Sequence, residues 1–477
     1  MRRRSRLVAA LIAGLCALTI AAGLTVIRLL PPRLALWRPP SIAAARLAGP
    51  TPVLGPATGS ADGSGGVTPA GLTQALAPVV DSQAFGPALG VLVANLATGQ
   101  VLYSSNGSSG FTPASTNKLA TSVAALEVLG PQARFTTRVV TGASPGSIVL
   151  VGGGDPTLAA GSPPASEYPQ PATLAELAAS TAKALRASGQ QSVQLGYDTS
   201  LYTGPGLGPG WSYGDVTGGN VSVITPLEVD QGRVTQSGQP QDEELSGGLR
   251  SADPAGQGAT VFAGLLSADG ITVRGTASEV TAPAGAATVA SVQSPPLASI
   301  VQLMLEQSNN VIAENLARQV AIATHQPASF SGGAAAVTSV LRGLGVTGQL
   351  TLFDGSGLSP DDQIAPLALV QLIRLAATDQ RLRPVLTGLP VEGFSGTLGP
   401  GGSVFGIAGP AGLGVVRAKT GNLSTVAALA GSAYARNGQL LAFAVMADQV
   451  PAAPGALGRA ATAMVSLAGV LAGCGCR

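Results

Sequence analysis

The sequence predicts an α+β protein: one antiparallel sheet sandwiched by helices, built from sequence-distant pieces, with a second unit inserted between them. Three observations carry this reading. Two apolar runs, Ala88–Leu96 and Gln100–Ser104, flank the turn Ala97-Thr98-Gly99 and form a hairpin signature. Three more strand-like runs, Gly414–Ala418, Thr425–Tyr434 and Gln439–Ala447, come late in the chain and lead into a closing helical pattern, Gly458–Ala472. Helical periodicity fills much of the distance between them. Both ends therefore supply strands to one sheet. The main domain is expected at residues 67–140 and 291–477, with residues 141–290 inserted.

The elements follow in order. Arg2, Arg3, Arg4 and Arg6 precede an uncharged run from Leu7 to Ile27, long enough to span a bilayer as a helix. Residues 1–30 read as an uncleaved membrane anchor, or as a signal peptide cleaved near Thr19-Ile20-Ala21. Either reading takes the body of the protein out of the cytoplasm. Residues 31–66 are rich in Pro, Gly, Ala and Ser without hydrophobic period, as in a flexible tether. Leu72–Val80 reads as a helix before the hairpin. Ser115–Leu129 reads as another, with Pro113 and Ser115 near its start and Gly130 at its end. Val149-Leu150-Val151 is a strand running into the tight turn Gly152–Pro156, and Thr173–Ser188 is an amphipathic helix. From Tyr197 to Arg274 the chain is Gly- and Pro-rich with short strand-like pieces. Helical character returns at Leu297–Ala323, Gly333–Leu344 and Leu367–Thr378, and Arg436-Asn437-Gly438 turns between the last two strands.

Composition narrows the chemistry. At 477 residues, 45% hydrophobic and 10% charged, the chain can fill more than one core. Net charge is +2 with no basic cluster beyond the N-terminus, and aromatics are 4%, so nucleic-acid binding has no support. The three cysteines are Cys16 in the first apolar run and Cys474 and Cys476 at the end, the last two reading as an inert surface tail. The one histidine, His325, falls in a polar loop after a helix. A Ser-His-Asp triad, a Cys-His nucleophile and a His/Cys zinc site are thereby set aside, and no metal or cofactor is called for. Any nucleophile must use another base.

Lysine is the candidate. Only three residues are lysine while 23 are arginine, so a lysine that falls within a motif stands out. Arginine stays protonated, whereas a buried lysine can lose its proton and act as a base. Lys183 reads as a plain solvated charge on its helix. The other two sit in short motifs: Lys118 closes Ser115-Thr116-Asn117-Lys118, and Lys419 opens Lys419-Thr420-Gly421, with Ser308-Asn309-Asn310 between. Ser-x-x-Lys on a helix puts the two side chains one turn apart on the same face. Ser115, at the helix start, would attack as nucleophile where free N–H groups favour negative charge. Lys118, desolvated and beside another cation, would take its proton. Ser308 could relay that proton and Asn310 bind a substrate amide. Lys419, on an edge strand, would be the second cation, Thr420 would offer a hydroxyl to a substrate carboxylate, and Gly421 would leave room for a substrate backbone.

With these motifs the chain resembles the penicillin-recognising serine enzymes. It is most similar to the D-alanyl-D-alanine carboxypeptidase/endopeptidase family, the class C low-molecular-mass penicillin-binding proteins. The likeness extends through Pro113–Lys118, Leu129-Gly130-Pro131, Arg134–Thr137, Gly152–Pro156, Ala313-Glu314-Asn315-Leu316 and Asp354–Ser359, and covers roughly residues 70–475. It implies a β-lactamase/transpeptidase-like domain with inserted material. Ser115 and Ser308 stand 193 apart, short for the most elaborate members, so a second nested domain is expected to be reduced or absent. It implies a serine peptidase acting on peptidoglycan stem peptides, as carboxypeptidase and/or endopeptidase, with β-lactams as inhibitors. It also implies a Ser115 acyl-enzyme, with the backbone N–H groups of Ser115 and Asn422 holding the oxyanion.

Two positions depart from the family pattern. Asn422 follows Lys-Thr-Gly where Thr is usual, and Pro360-Asp361 follows Asp354–Ser359 where a basic residue is usual. Both concern substrate preference and turnover more than fold. The Asp354 loop also has a plainer reading, as a turn that only packs near the site. Two other functions share the motifs. A class A β-lactamase needs a Glu for the deacylating water, yet none lies between Glu314 and Glu392. A catalytically idle, membrane-tethered wall-binding or scaffold protein would not need Ser115, Lys118, Ser308, Asn310 and Lys419 intact.

Overall fold

The computed structural model describes residues 66–234, 248–402, 404–406 and 409–476. The readings for residues 1–30 and for the linker 31–66, Gly66 apart, lie outside these residues. The main sheet has five antiparallel strands in the order β11-β12-β13-β1-β2, namely Val416–Leu423, Val426–Tyr434, Leu440–Asp448, Ala88–Asn95 and Val101–Ser105. The two ends of the sequence meet at its centre, where β1 pairs with β13 from Ala88↔Asp448 to Asn95↔Leu441. Because helices cover both faces, the inner strands read as near-continuous apolar runs; Leu441–Ala447 is buried throughout.

Strand alternation sorts the core into two layers. Val91, Val93, Leu429, Phe443 and Val445 face the outer layer with helix α1 (Pro69–Val80) and the last long helix, Ala456–Gly473. Leu92, Ala94, Ala428, Ala430 and Ala444 face the inner layer. At its centre is α2 (Lys118–Leu129), buried on every side from Lys118 to Leu126. The Cys474-Gly475-Cys476 stretch is not a surface tail. Cys474 is buried in the outer layer and disulfide-bonded to Cys476, whose carbonyl accepts the Thr68 N–H that opens α1. His325 and Lys183 are solvent-exposed.

A second sheet lies between the first motif and the second. Its order is β6-β5-β4-β3-β8: Thr272–Val273, Ser192–Asp198, Ser147–Val151, Thr136–Thr141 and Thr288–Gln293. It is mixed, with β3 antiparallel to β4 and β8 but β4 and β5 parallel, and β7 (Ser278–Glu279) also parallel to β5. β9 (Leu350–Thr351) and β10 (Gln363–Ile364) form a two-stranded sheet of their own. Helices α3 (Leu174–Ala187) and α4 (Pro254–Ala268) pack on the mixed sheet through Leu174, Leu177, Leu185, Phe262 and Leu266. Here the sequence reading needs correction: residues read as strand-like pieces hold α4, which is capped by Asp253 and starts on Pro254. Gly256, Gly258 and Gly264 mask its helical pattern, and Gly258 lets Val229 approach, since a Cβ there would lie 2.8 Å from Val229 Cγ2.

Two further differences shape the site. The expected helix Leu297–Ala323 is two helices, α5 (Leu297–Gln307) and α6 (Asn310–Ala323), broken at Ser308, whose φ is 58°. Asn309 caps the second by accepting the Ile312 N–H at 3.1 Å. The expected helix at Ser115 opens as a 3₁₀ turn over Ala114–Asn117, preceded by Pro113 and with Ala114 at φ 46°. A non-glycine residue there is strained, and it stands next to the proposed nucleophile.

Candidate active site

The 3₁₀ turn and α2 put Ser115 and Lys118 side by side, as Ser-x-x-Lys spacing requires. Lys118 Nζ lies 2.9 Å from Ser115 Oγ, 2.6 Å from Asn310 Oδ1 and 2.9 Å from the Ser356 carbonyl. The break between α5 and α6 turns Ser308 toward the third motif: Lys419 Nζ, on edge strand β11, donates to Ser308 Oγ at 2.9 Å and to the Thr420 carbonyl at 2.8 Å. The first motif thus meets the second through Asn310, and the second meets the third through Ser308.

Both amines are fully buried. Burial disfavours the charged form, and it pushes Lys118 down to about 7 against the opposing pull of Asp354 and Glu314. Burial first and the Lys118 charge second push Lys419 well below its ordinary value. A lysine near neutrality can take a proton from an adjacent hydroxyl and return it.

The remaining residues divide. Asn310 is oriented by the connection from β5 to α4, since its Nδ2 donates to the Asn220 carbonyl at 2.8 Å and so leaves Oδ1 for Lys118. Thr420 is buried, its hydroxyl 2.7 Å from that of Thr397. Gly421 stands against the protein's own backbone: a Cβ there would lie 2.7 Å from the Pro113 carbonyl oxygen and 3.0 Å from the Ser115 nitrogen. The side that glycine keeps open is therefore filled by the turn carrying the nucleophile. Asn422 is exposed at the next position on β11.

Several contributors were not found in the sequence. Thr397, Asn220 and Ser356 act through a hydroxyl or a carbonyl that no spacing reveals. Gln231, from the inserted region, accepts from Asn309 Nδ2 at 2.9 Å. Glu228, also inserted, accepts from Asn315 Nδ2 at 2.9 Å. The Asp354–Ser359 loop does more than pack nearby, because its Ser356 carbonyl touches the Lys118 amine. Trp211 Nε1 donates to Asp354 Oδ2 at 2.9 Å, tying that loop to the inserted residues. Glu314 grips it from below. Burial and neighbouring Asp354 push the Glu314 carboxyl up, while Arg318 and the loop's N–H groups draw it back.

Comparison with known proteins adds to this geometry. A family model described as "D-Ala-D-Ala carboxypeptidase 3 (S13) family" matches residues 72–246 and 238–469. A carboxypeptidase DacB of Mycolicibacterium smegmatis is 35% identical over 436 residues, 88% of this chain and 90% of that protein. A D-alanyl-D-alanine carboxypeptidase of Actinomadura sp. (strain R39) is 30% identical over 472 residues, covering 83% and 84%. The crystal structure of penicillin binding protein 4 from Haemophilus influenzae is similar in fold, with a TM-score of 0.66 at 23% identity over 84% of this chain and 99% of that one.

Proposed function

Since the chain belongs to the D-Ala-D-Ala carboxypeptidase 3 (S13) family, we propose that its three motifs form the active site of a serine DD-peptidase acting on peptidoglycan stem peptides. The observation that carries the reading is the buried Lys118 amine 2.9 Å from Ser115 Oγ. Ser115 Oγ attacks the carbonyl between two D-alanines while Lys118 Nζ takes its proton. The negative charge that develops on the carbonyl oxygen rests on the backbone N–H groups of Ser115 and Asn422. The C–N bond then breaks. Ser308, polarised by Lys419, passes its proton to the departing D-alanine nitrogen and takes in its place the proton held by Lys118, which is neutral again. Water attacks the Ser115 ester, gives its proton back through Lys118, and frees the shortened peptide. Asn310 meets the substrate amide, and Lys419 with the Thr397–Thr420 hydroxyl pair meets its terminal carboxylate.

A β-lactam follows the same first step, but its leaving nitrogen stays tethered to the acyl group. The adduct on Ser115 then persists. Purified protein should therefore release D-alanine from a pentapeptide stem and be labelled by a fluorescent penicillin. The absence of both release and labelling would overturn the reading.

Peptidoglycan lies outside the cytoplasm, so the enzyme acts there. We assign residues 1–30 as the membrane anchor and 31–66 as the tether, on the uncharged run from Leu7 to Ile27. The peptidase domain is assigned to residues 67–140 and 291–477, around an inserted domain at 141–290 whose sheet runs over both boundaries through β3 and β8. A reporter fused after residue 66 should be active outside the cytoplasm and sediment with membranes. Cytoplasmic activity contradicts export, and a freely secreted fusion contradicts the anchor.

A further inference from the structure

We infer that Glu314 is a positioning residue for this chemistry: by gripping the Gly355 and Ser356 amides, it aims the Ser356 carbonyl that orients the Lys118 lone pair. The inference rests on the assignment of Lys118 as base.

A neutral amine has two N–H bonds and one lone pair. Lys118 Nζ has three polar neighbours, and two of them, Asn310 Oδ1 and the Ser356 carbonyl, can only accept. They take both N–H bonds. The lone pair is then left facing the third neighbour, Ser115 Oγ, whose proton it must receive. Without either acceptor the amine can turn an N–H toward Ser115 and lose that direction.

The Ser356 carbonyl is held from two sides, and within the turn Asp354 Oδ1 accepts the Ser356 N–H at 3.1 Å and the Gly357 N–H at 2.7 Å. The carbonyls of Asp354, Gly355 and Ser356 all meet the segment carrying the base, at Asn117 Nδ2 (3.1 Å), Thr121 Oγ1 (2.6 Å) and Lys118 Nζ (2.9 Å). On the opposite side, the Glu314 carboxylate accepts the Gly355 N–H at 3.1 Å on both oxygens and the Ser356 N–H at 2.8 Å on Oε1. The turn is a bridge from α6 to α2, and Glu314 is its footing on α6. Glu314 itself is 1% exposed, and its partners are these amides and Arg318, 4.0 Å away. No bond joins it to Ser115, so its influence passes through Ser356.

Reach and charge can be separated. Glu314→Asp keeps the charge but retracts the oxygens by one methylene, whereas Glu314→Gln keeps the reach and one acceptor able to serve both amides. The measurement is stopped-flow acylation by benzylpenicillin, resolved into the prior binding constant and the acylation rate constant. Glu314→Asp should lower the acylation rate constant about 10- to 100-fold, as a misplacement of about 1 Å does, with binding unchanged. Glu314→Gln should stay within about fivefold of wild type, the scale of one neutral hydrogen bond.

The reverse ranking would mean that charge matters rather than reach, and would overturn the proposal. So would an Asp variant equal to wild type, or one that loses binding and acylation in parallel. If Glu314→Asp does not fold, Glu314→Met takes its place with the same expected loss. Failure of both to fold assigns Glu314 to folding alone and also overturns it. Wild-type protein that benzylpenicillin does not acylate removes instead the underlying functional assignment.

Discussion

Benzylpenicillin should add once to the wild-type protein and not at all to Ser115→Ala. Removing the nucleophile of a serine hydrolase costs roughly 10⁶ in turnover, so D-alanine release should vanish with the adduct. The site contains a second serine on a buried lysine, Ser308 with Lys419, which makes the experiment a real choice. Ser115 stands at the start of a helix, beside an amine lowered to about 7. Ser308 sits at the broken junction of α5 and α6, with a left-handed backbone. Ser308→Ala should slow acylation through the loss of its relay while leaving the adduct on Ser115. Intact-protein mass spectrometry of both variants decides the assignment. An equal adduct on Ser115→Ala would sink it.

The second large effect is expected at Lys118. A guanidinium carries five N–H donors and no lone pair at any accessible pH, so Lys118→Arg cannot receive the serine proton. Acylation should fall by about two to four orders of magnitude, the usual range for a lost general base. Lys118→Met, close in size and equally unable to accept, should fall as far. The pH profile gives an independent check. The base must be neutral to act, so wild-type acylation should rise with pH through a midpoint near 7, the value to which burial lowers Lys118. That acidic limb should be missing from the residual rate of both variants. A limb that persists unchanged in Lys118→Met would place the titrating base elsewhere.

Much of this site was legible because it is local. Ser115 to Lys118 and Lys419 to Gly421 are short strings whose spacing already fixes which side chains share a face. The scarcity of lysine made two of the three informative. The fold was legible for a related reason: strands covered on both faces are apolar end to end, and their late position in the chain implied pairing with the early hairpin. What could not be read rests on backbone or on distant packing. Ser356 contributes a carbonyl, which every residue has. Asn220 does the same from far along the chain. The break at Ser308 carries no glycine or proline to announce it, since serine takes up φ 58° only because Asn309 caps the next helix and Lys419 holds its hydroxyl. Helix α4 was missed because three glycines, of which Gly258 makes room for Val229, lower the helical signal.

Strand order is also a timetable. Residues 88–95 are made early but pair with residues 440–448, so the sheet waits for the last tenth of the chain. A polypeptide synthesised from its N-terminus first holds Ser115 and Lys118 long before it holds Asn310, Ser356 or Lys419. Until those arrive, the lysine is a solvated, protonated cation and the serine an ordinary alcohol. The Thr68–Cys476 hydrogen bond marks the closing of this circuit. Reactivity is therefore withheld by topology during synthesis, and a hydrolase of the wall acquires its chemistry only after nearly all of its chain has been made.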